Sequence, residues 1–361
     1  MSGYTPVTYR CKGCAAPLVF LPGNGLCCKH CGECEQIDAK GIIEEKDFHY
    51  ALTHLSQTQE TTPLKELTCN ACTASFTIDR LNFSGLCPHC HVPYVGEFLL
   101  DIEPKSLIPF TLTQKDARKH IKTWLADGLF TPSKLKDHVN AIALEALYLP
   151  FWTLDFNTHS TYQGERGTIY YEYQWQNVMV DGRMQRVRQR VQRIRWQRVY
   201  GTTNAVFDDE LTHATHTISR VILDKLAPWN FTQLTPYNEK FLLGFVSEEY
   251  NIAVDEGFEQ VKLNIDAKID RDIRLNIGGD RQRIHQKNTQ YTNIHYKSIL
   301  LPIYKASYTY QNKTYHLAVN AQNAKVAGEK PKSGFKIGVA VVFGLLLLAV
   351  VLYVANNPSR F

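Results

Sequence analysis

The sequence predicts an α+β chain, and three patterns predict it. Two sets of paired cysteines mark small ribbons at the front, helical and alternating apolar periods succeed one another through the middle, and an uncharged apolar run of membrane length closes the chain. The expected order is a first ribbon over 1–38, a helical linker over 39–66 and a second ribbon over 67–100. A mixed antiparallel-sheet and helix domain follows over 101–327, then a linker over 328–336, a transmembrane helix over 337–355 and a short outer tail over 356–361. Before the span lie over 330 residues, enough for one sizeable folded domain plus smaller modules. A formal charge of +5 and 11% aromatic residues describe a folded chain rather than a disordered one.

Met1 to Arg10 contain no apolar stretch, so a signal peptide is not expected. All ten cysteines precede residue 91, and a reducing cytosol makes metal ligation a better reading than disulfides. Cys11 and Cys14 are followed after thirteen residues by Cys28 and Cys31; Cys69 and Cys72 are followed after fourteen by Cys87 and Cys90. Each CxxC turns two thiolates toward one point, and a hairpin between the pairs completes a tetrahedral four-cysteine site. Two structural Zn2+ ions are expected, because four thiolates leave no open position for water or substrate. Cys27 and Cys34 are surplus, and Cys31-Gly32-Glu33-Cys34 is itself a CxxC. Gly32 directly after Cys31 favours the register with Cys28 and Cys31. His30, His89 and His91 are expected to face solvent. Phe48, Ala51, Leu52 and Leu55 have helical spacing between the ribbons, and Ser56 to Pro63 is polar linker.

Thr113 and Asp116 open a helix containing Ala117, Ile121, Trp124 and Leu125, and Ser133 after Pro132 starts a second. At Leu149-Pro150-Phe151-Trp152 the pattern becomes alternating, with Trp152, Leu154 and Phe156 on one side of a strand. Asp181-Gly182 is a favoured two-residue turn, so Tyr170–Val180 and Met184–Tyr200 should pair antiparallel. The arm contains Arg183, Arg186, Arg188, Arg190, Arg193, Arg195 and Arg198, interleaved with Val187, Val191, Ile194 and Trp196, and it faces Tyr170, Tyr171, Tyr173 and Trp175. Three readings stay open: a solvated strand face carrying long side chains over its aromatic partners, a lipid surface, and nucleic acid. Strand parity divides Arg186, Arg188, Arg190 and Arg198 from Arg183, Arg193 and Arg195. Little nucleic-acid binding is therefore expected of any single face.

Asp208 to Leu226 is expected to be an amphipathic helix, with Leu211, Ile218, Val221, Ile222 and Leu226 as its apolar stripe. Tyr237, Phe241, Leu242 and Phe245 mark a buried turn, and Phe258, Val261, Ile265 and Ile269 a long helix closed by Gly278-Gly279. Strands resume at Arg281, pass Leu301-Pro302-Ile303-Tyr304, turn near Asn312-Lys313 and return through Tyr315, Leu317 and Val319. The echo of Leu149-Pro150-Phe151-Trp152 in Leu301-Pro302-Ile303-Tyr304 suggests neighbouring strands, with proline at each strand's start. Residues 337–355 carry no charge, and at ~1.5 Å per residue they cover about 29 Å, close to the ~30 Å hydrocarbon core. Lys325, Lys330, Lys332 and Lys336 precede this run and Arg360 follows it, so the positive-inside bias places the body in the cytoplasm.

Taken in order, the two ribbons, Tyr148–Trp152 with Asp155, Phe207-Asp208-Asp209, Pro236-Tyr237, Gly244-Phe245 with Tyr250, Leu300–Tyr304, Asn320, Gly328–Pro331 and the final span resemble a family. It consists of bacterial membrane-anchored proteins with tandem TFIIB-type zinc ribbons, found beside phage-shock-protein A and flotillin-like components of envelope stress systems. The chain departs from the family's Asn-Gly-Gln-Thr-Gly with Asn320-Ala321-Gln322-Asn323-Ala324. Members are often labelled relatives of a primosomal helicase, but the phosphate-cradling GxxxxGK[ST] loop occurs nowhere in this sequence. HExxH and GxSxG are also missing, and no enzyme activity is expected. The resemblance implies a tail-anchored adaptor that recruits or organises membrane-stress proteins of phage-shock-protein A or flotillin-like type. The alternative is a membrane-tethered nucleic-acid-binding zinc-ribbon protein.

Overall fold

A computed structural model describes residues 6–54, 64–96, 98, 102–128, 130–132, 135, 142–180 and 183–356. The first ribbon holds strands β1 (Leu18–Leu21), β2 (Gly25–Cys28) and β3 (Cys34–Glu35), followed by β4 (Lys46–Asp47) and helix α1 (Phe48–His54). The second ribbon pairs β5 (Leu64–Thr68) with β6 (Ser75–Asp79) and β7 (Asn82–Leu86) with β8 (Pro93–Val95). Next come β9 (Ser106–Leu107) and α2 (Gln114–Ala126), whose N-cap Thr113 accepts a hydrogen bond from the Asp116 N–H. Two very long strands follow, β10 (Ala143–Val180) and β11 (Arg183–His213), then α3 (Arg220–Leu226), β12 (Thr235–Pro236), β13 (Val246–Glu248) and α4 (Val254–Ile277). The chain ends with β14 (Arg281–Tyr310), β15 (Lys313–Asn320), β16 (Val326–Gly328) and α5 (Gly334–Asn356).

The body is organised on β10, which pairs antiparallel with β11 on one side and β14 on the other. Strand β14 also carries β15, and β15 carries β16. The two Leu-Pro motifs are direct neighbours: Leu149 lies opposite Leu301, Tyr148 opposite Pro302 and Pro150 opposite Leu300. The prolines are not at strand starts as expected, for β10 begins at Ala143 and β14 at Arg281. Each sits where an outer partner runs out. The last residue of β11, His213, pairs with Phe151, and the last of β15, Asn320, pairs with Ile303, so the absent N–H is not missed by a third strand.

Both faces of β10 are buried around this junction. Trp152, Leu154 and Phe156 pack under α4, and Leu147, Leu149 and Phe151 under α3. Helix α4 buries Phe258, Val261, Ile265, Ile269, Ile273 and Ile277 against the sheet, a stripe at helical spacing. Its 24 residues span about 36 Å, the length of roughly eleven strand residues, and it runs from Gly257 beside Trp152 to Ile277 beside Gly164. Gly278, at φ 67°, stops it. At Gly164 the strand shifts register against β14, and a Cβ there would lie 2.4 Å from the Arg283 carbonyl oxygen, so only glycine allows this approach.

Beyond Gly167, the last residue of β10 paired with β14, the hairpin of β10 and β11 continues alone to the Val180–Arg183 pair. Thirteen strand residues, about 43 Å, stand free of the third strand. The expected antiparallel pairing is present and extends further away from the turn, to the Phe151–His213 pair.

The expected helix over Asp208–Leu226 is corrected: Asp208 to His213 belong to β11, and only Arg220–Leu226 is helical. Pairing of Leu211 with Thr153 and of His213 with Phe151 overrides the helical spacing, and Val221 of the supposed apolar stripe is 62% exposed. The second ribbon joins the main sheet through β7 on β13. The proposed helix start at Ser133, the linker Ser56–Pro63, the turn Asp181-Gly182 and the tail from residue 357 lie outside the described residues. Helix α5 includes a 20-residue segment, Gly334–Tyr353, long and apolar enough to cross a membrane, and none of it is buried against the body.

Candidate metal centres and the arginine arm

The structure brings the eight predicted cysteines into two groups, Cys11, Cys14, Cys28 and Cys31, and Cys69, Cys72, Cys87 and Cys90. Within each group the sulfurs lie within 4.8 Å of one another. The Cys11–Cys31 and Cys14–Cys28 sulfurs are 3.5 and 3.4 Å apart, and the Cys69–Cys90 and Cys72–Cys87 sulfurs 3.7 and 3.9 Å. A tetrahedral ion bound at ~2.3 Å holds its thiolates about 3.8 Å apart, so both groups fit one metal ion with four sulfur ligands.

All four CxxC knuckles share one backbone design. The residue after the second cysteine adopts positive φ: Ala15 at 59°, Gly32 at 79°, Thr73 at 59° and His91 at 57°. Its N–H donates to the carbonyl of the first cysteine, at 2.9 Å for Ala15, Thr73 and His91 and 3.0 Å for Gly32. The first cysteine's own N–H donates onward to the carbonyl of Ala16, Glu33, Ala74 or Val92. These turns also shape the thiols. The backbone N–H of Cys31 leads in bringing Cys28 down to about 6. At Cys69 burial works upward, but the N–H groups of Ala71 and Cys72 help bring it down to about 7, whereas burial pushes Cys90 up to about 12.

The surplus Cys27 and Cys34 lie outside both groups, and they correct the preference for metal ligation over disulfides at this pair: they form a disulfide. They are directly opposed across β2 and β3, and strand alternation turns Cys27 to the face opposite Cys28. The spacing alone does not reveal this cross-strand register.

On the arm, Arg186, Arg188 and Arg190 share one face with Tyr171, Tyr173 and Trp175. Their guanidinium carbons lie 5.5 Å from the Trp175 ring centroid, 4.3 Å from Tyr173 and 3.5 Å from Tyr171 respectively. On the other face Arg195 lies 5.2 Å from the Tyr170 ring and Arg193 pairs with Glu172 at 3.6 Å. Arg198 is opposite Glu165, nearer the sheet, where Glu165 also meets Arg283 and His285 at 3.7 and 3.3 Å. The division of arginines between faces is as strand parity dictates. His30 and His91 line a cleft of about 740 Å³ between the two ribbons and the sheet, floored by Phe20, Phe245 and Tyr304.

One charged centre is assembled by strand register rather than by spacing in the sequence. The register shifts around Asp155 in β10, opposite Asp208-Asp209 in β11 and Asn293 in β14, coincide, and Asp209 and Asn293 both have positive φ. Into this break the Lys297 ammonium projects, 2.8 Å from Asp209, 3.3 Å from Asp155 and 3.2 Å from Glu45 of the inter-ribbon linker. The side-chain oxygens of Asp155, Asp208 and Asp209 cluster as metal ligands would, but Lys297 already supplies the cation. The hints in sequence are Asp155 and Asp208-Asp209, already marks of the resemblance, and Lys297, one residue removed from the apolar run Ile299-Leu300-Leu301.

Comparison with protein families finds no match, and comparison with solved structures finds none. Among curated proteins the chain is similar to YdjG of Bacillus subtilis (strain 168), an uncharacterized protein, with 23% identity over 237 residues. The match covers 65% of this chain and 66% of the relative's length.

Proposed function

We propose that this chain is a non-enzymatic, tail-anchored adaptor. Two structural zinc ribbons and the α+β body stand on the cytoplasmic face of the inner membrane and recruit or organise membrane-stress proteins of phage-shock-protein A or flotillin-like type. The observation that carries the reading is the filling of each candidate metal site by four protein thiols, which makes the ribbons scaffolds rather than reaction centres. Zinc suits four thiolates in a tetrahedron and undergoes no redox chemistry of its own. The first ribbon is also locked to the body: Phe20 packs edge-on against Phe241, with ring centroids 5.3 Å apart, and its N–H donates to the Leu243 carbonyl. In the second, the buried Ser84 hydroxyl donates to the Phe245 carbonyl and meets Ser247 at 2.7 Å. Both modules are thereby held at one end of the sheet, the end from which α5 departs through β15 and β16.

Two measurements test this. Metal analysis of reduced, purified protein should give two zinc ions per chain; Cys69→Ser or Cys87→Ser should remove one, and Cys27→Ser or Cys34→Ser none. One ion or fewer in the unmutated chain rejects the ribbon assignment. For recruitment, liposomes carrying the full chain should co-float a purified phage-shock-protein A or flotillin-like protein, and failure with both classes rejects the adaptor role.

A further inference from the structure

The free hairpin suits a partner that encloses it. Residues 168–198 hold seven arginines against Glu172 and Asp181, a formal +5 that equals the net charge of the entire chain, so the remainder sums to zero. The uncharged polar residues of the same stretch include six glutamines and Asn177, and it has no lysine. Arginine reads guanine O6 and N7 and binds phosphate through its planar fork, while glutamine and asparagine read adenine. We propose that the arm is a DNA-binding ribbon that enters the major groove of a B-form duplex. This goes beyond the adaptor reading and does not rest on it.

The geometry separates the duplex from other polyanions. Two strands about 4.8 Å apart fit a groove ~12 Å wide and ~8.5 Å deep, and ~43 Å of free ribbon exceeds one helical turn of ~34 Å. Arginines on both faces weaken a ribbon lying on a flat surface, because only one face can touch it. A groove has two walls, and the same division then places cations toward each phosphate rail. A single strand is a poorer fit, since Tyr171 and Tyr173 already lie under guanidiniums and offer less free ring surface to bases. The deep, narrow major groove of A-form RNA does not admit the ribbon. A membrane is disfavoured by position: the arm is the far end of a 38-residue strand whose other end pairs with the part of β14 that carries β15, and β15 carries β16, which leads to α5.

The test uses the full chain in zwitterionic nanodiscs and a fluorescent 20-base-pair DNA duplex of mixed sequence, titrated from about 50 to 200 mM salt. If Arg186, Arg188, Arg190, Arg193 and Arg195 each neutralise one phosphate, log affinity should fall against log salt with slope about −4.5, a loss of roughly 500-fold across that range. Arg186→Gln/Arg188→Gln/Arg190→Gln should reduce the slope by about 2.7 and Arg193→Gln/Arg195→Gln by about 1.8, whereas Arg271→Gln on α4 should leave it unchanged. Replacing residues 171–192 by Asn-Gly closes the hairpin early; this variant should keep its metal content and lose the duplex. Equal binding to the single strand or to an RNA duplex overturns the proposal. So does an Arg193→Gln/Arg195→Gln variant indistinguishable from wild type, or binding confined to polyglutamate or phosphatidylserine vesicles.

Discussion

Lys297 carries its charge into the break where three strands lose register together, and its side chain is 90% buried. Burial works to lower its pKa, but the bond to Asp209 and the charges of Asp155 and Asp209 outweigh it, and the value is raised. Lys297→Met should cost about 2–3 kcal/mol in urea unfolding; this is below the ~3–5 kcal/mol for a fully buried pair, because Glu45 still reaches water. A raised lysine contributes stability that is complete below its ordinary value near 10.4 and is lost as pH rises through the folded value. The gap between wild type and Lys297→Met should therefore hold steady from about pH 6 to 9 and narrow above about pH 10.5; a gap that widens there contradicts the network. The knuckles make a second case. Thr73 and Ala15 hold a left-handed conformation that glycine adopts without steric cost, so Thr73→Gly should raise the stability of the metal-loaded second ribbon by about 1 kcal/mol. Ala324, which holds φ 62° in a turn, should respond to Ala324→Gly in the same direction. The two four-cysteine groups are legible in the sequence because the chemistry of metal binding fixes their spacing. The positive-φ positions were not, because only Gly32 among the four announces itself.

Helix α4 and strand β10 show where periodicity was enough. Apolar residues at Phe258, Val261, Ile265 and Ile269 predict the face that α4 buries, and the face continues through Ile273 to Ile277. Ile269→Ala should lower unfolding stability by about 3 kcal/mol, and Leu275→Ala, at a position 73% exposed on the same helix, by under about 0.5 kcal/mol. Equal effects would place the wrong face on the sheet. The echo of the two Leu-Pro motifs does point to neighbouring strands, which meet at Leu149 and Leu301, although neither proline opens its strand. Strand lengths were not legible. Alternation in β10 fades where both faces are buried from Leu147 to Leu154, and again where neither is covered beyond Gly167. At the end of β11, Leu211, Ile218 and Ile222 mimic a helix because a strand, a loop and a short helix happen to space them so.

At the scale of the molecule, the lysines before α5 set the expected topology. Protease added to intact spheroplasts should leave the body uncut, and removing residues 335–361 should release it to the soluble fraction; cleavage of the body from outside reverses the assigned orientation. The order of strands in the chain also has a consequence for synthesis. The hairpin of β10 and β11 is complete at His213, yet its third strand begins only at Arg281. At roughly 5–20 residues per second the ribosome needs about 3–14 s to cross that interval. Throughout it, the edge of β10 from Ala143 to Gly167, including the apolar run around Trp152, has no strand to close it. The nascent chain is thus most vulnerable to mispairing before its last quarter exists. Slowing translation between residues 214 and 280 with rare codons should increase the aggregated fraction, while the same codons placed after residue 320 should not.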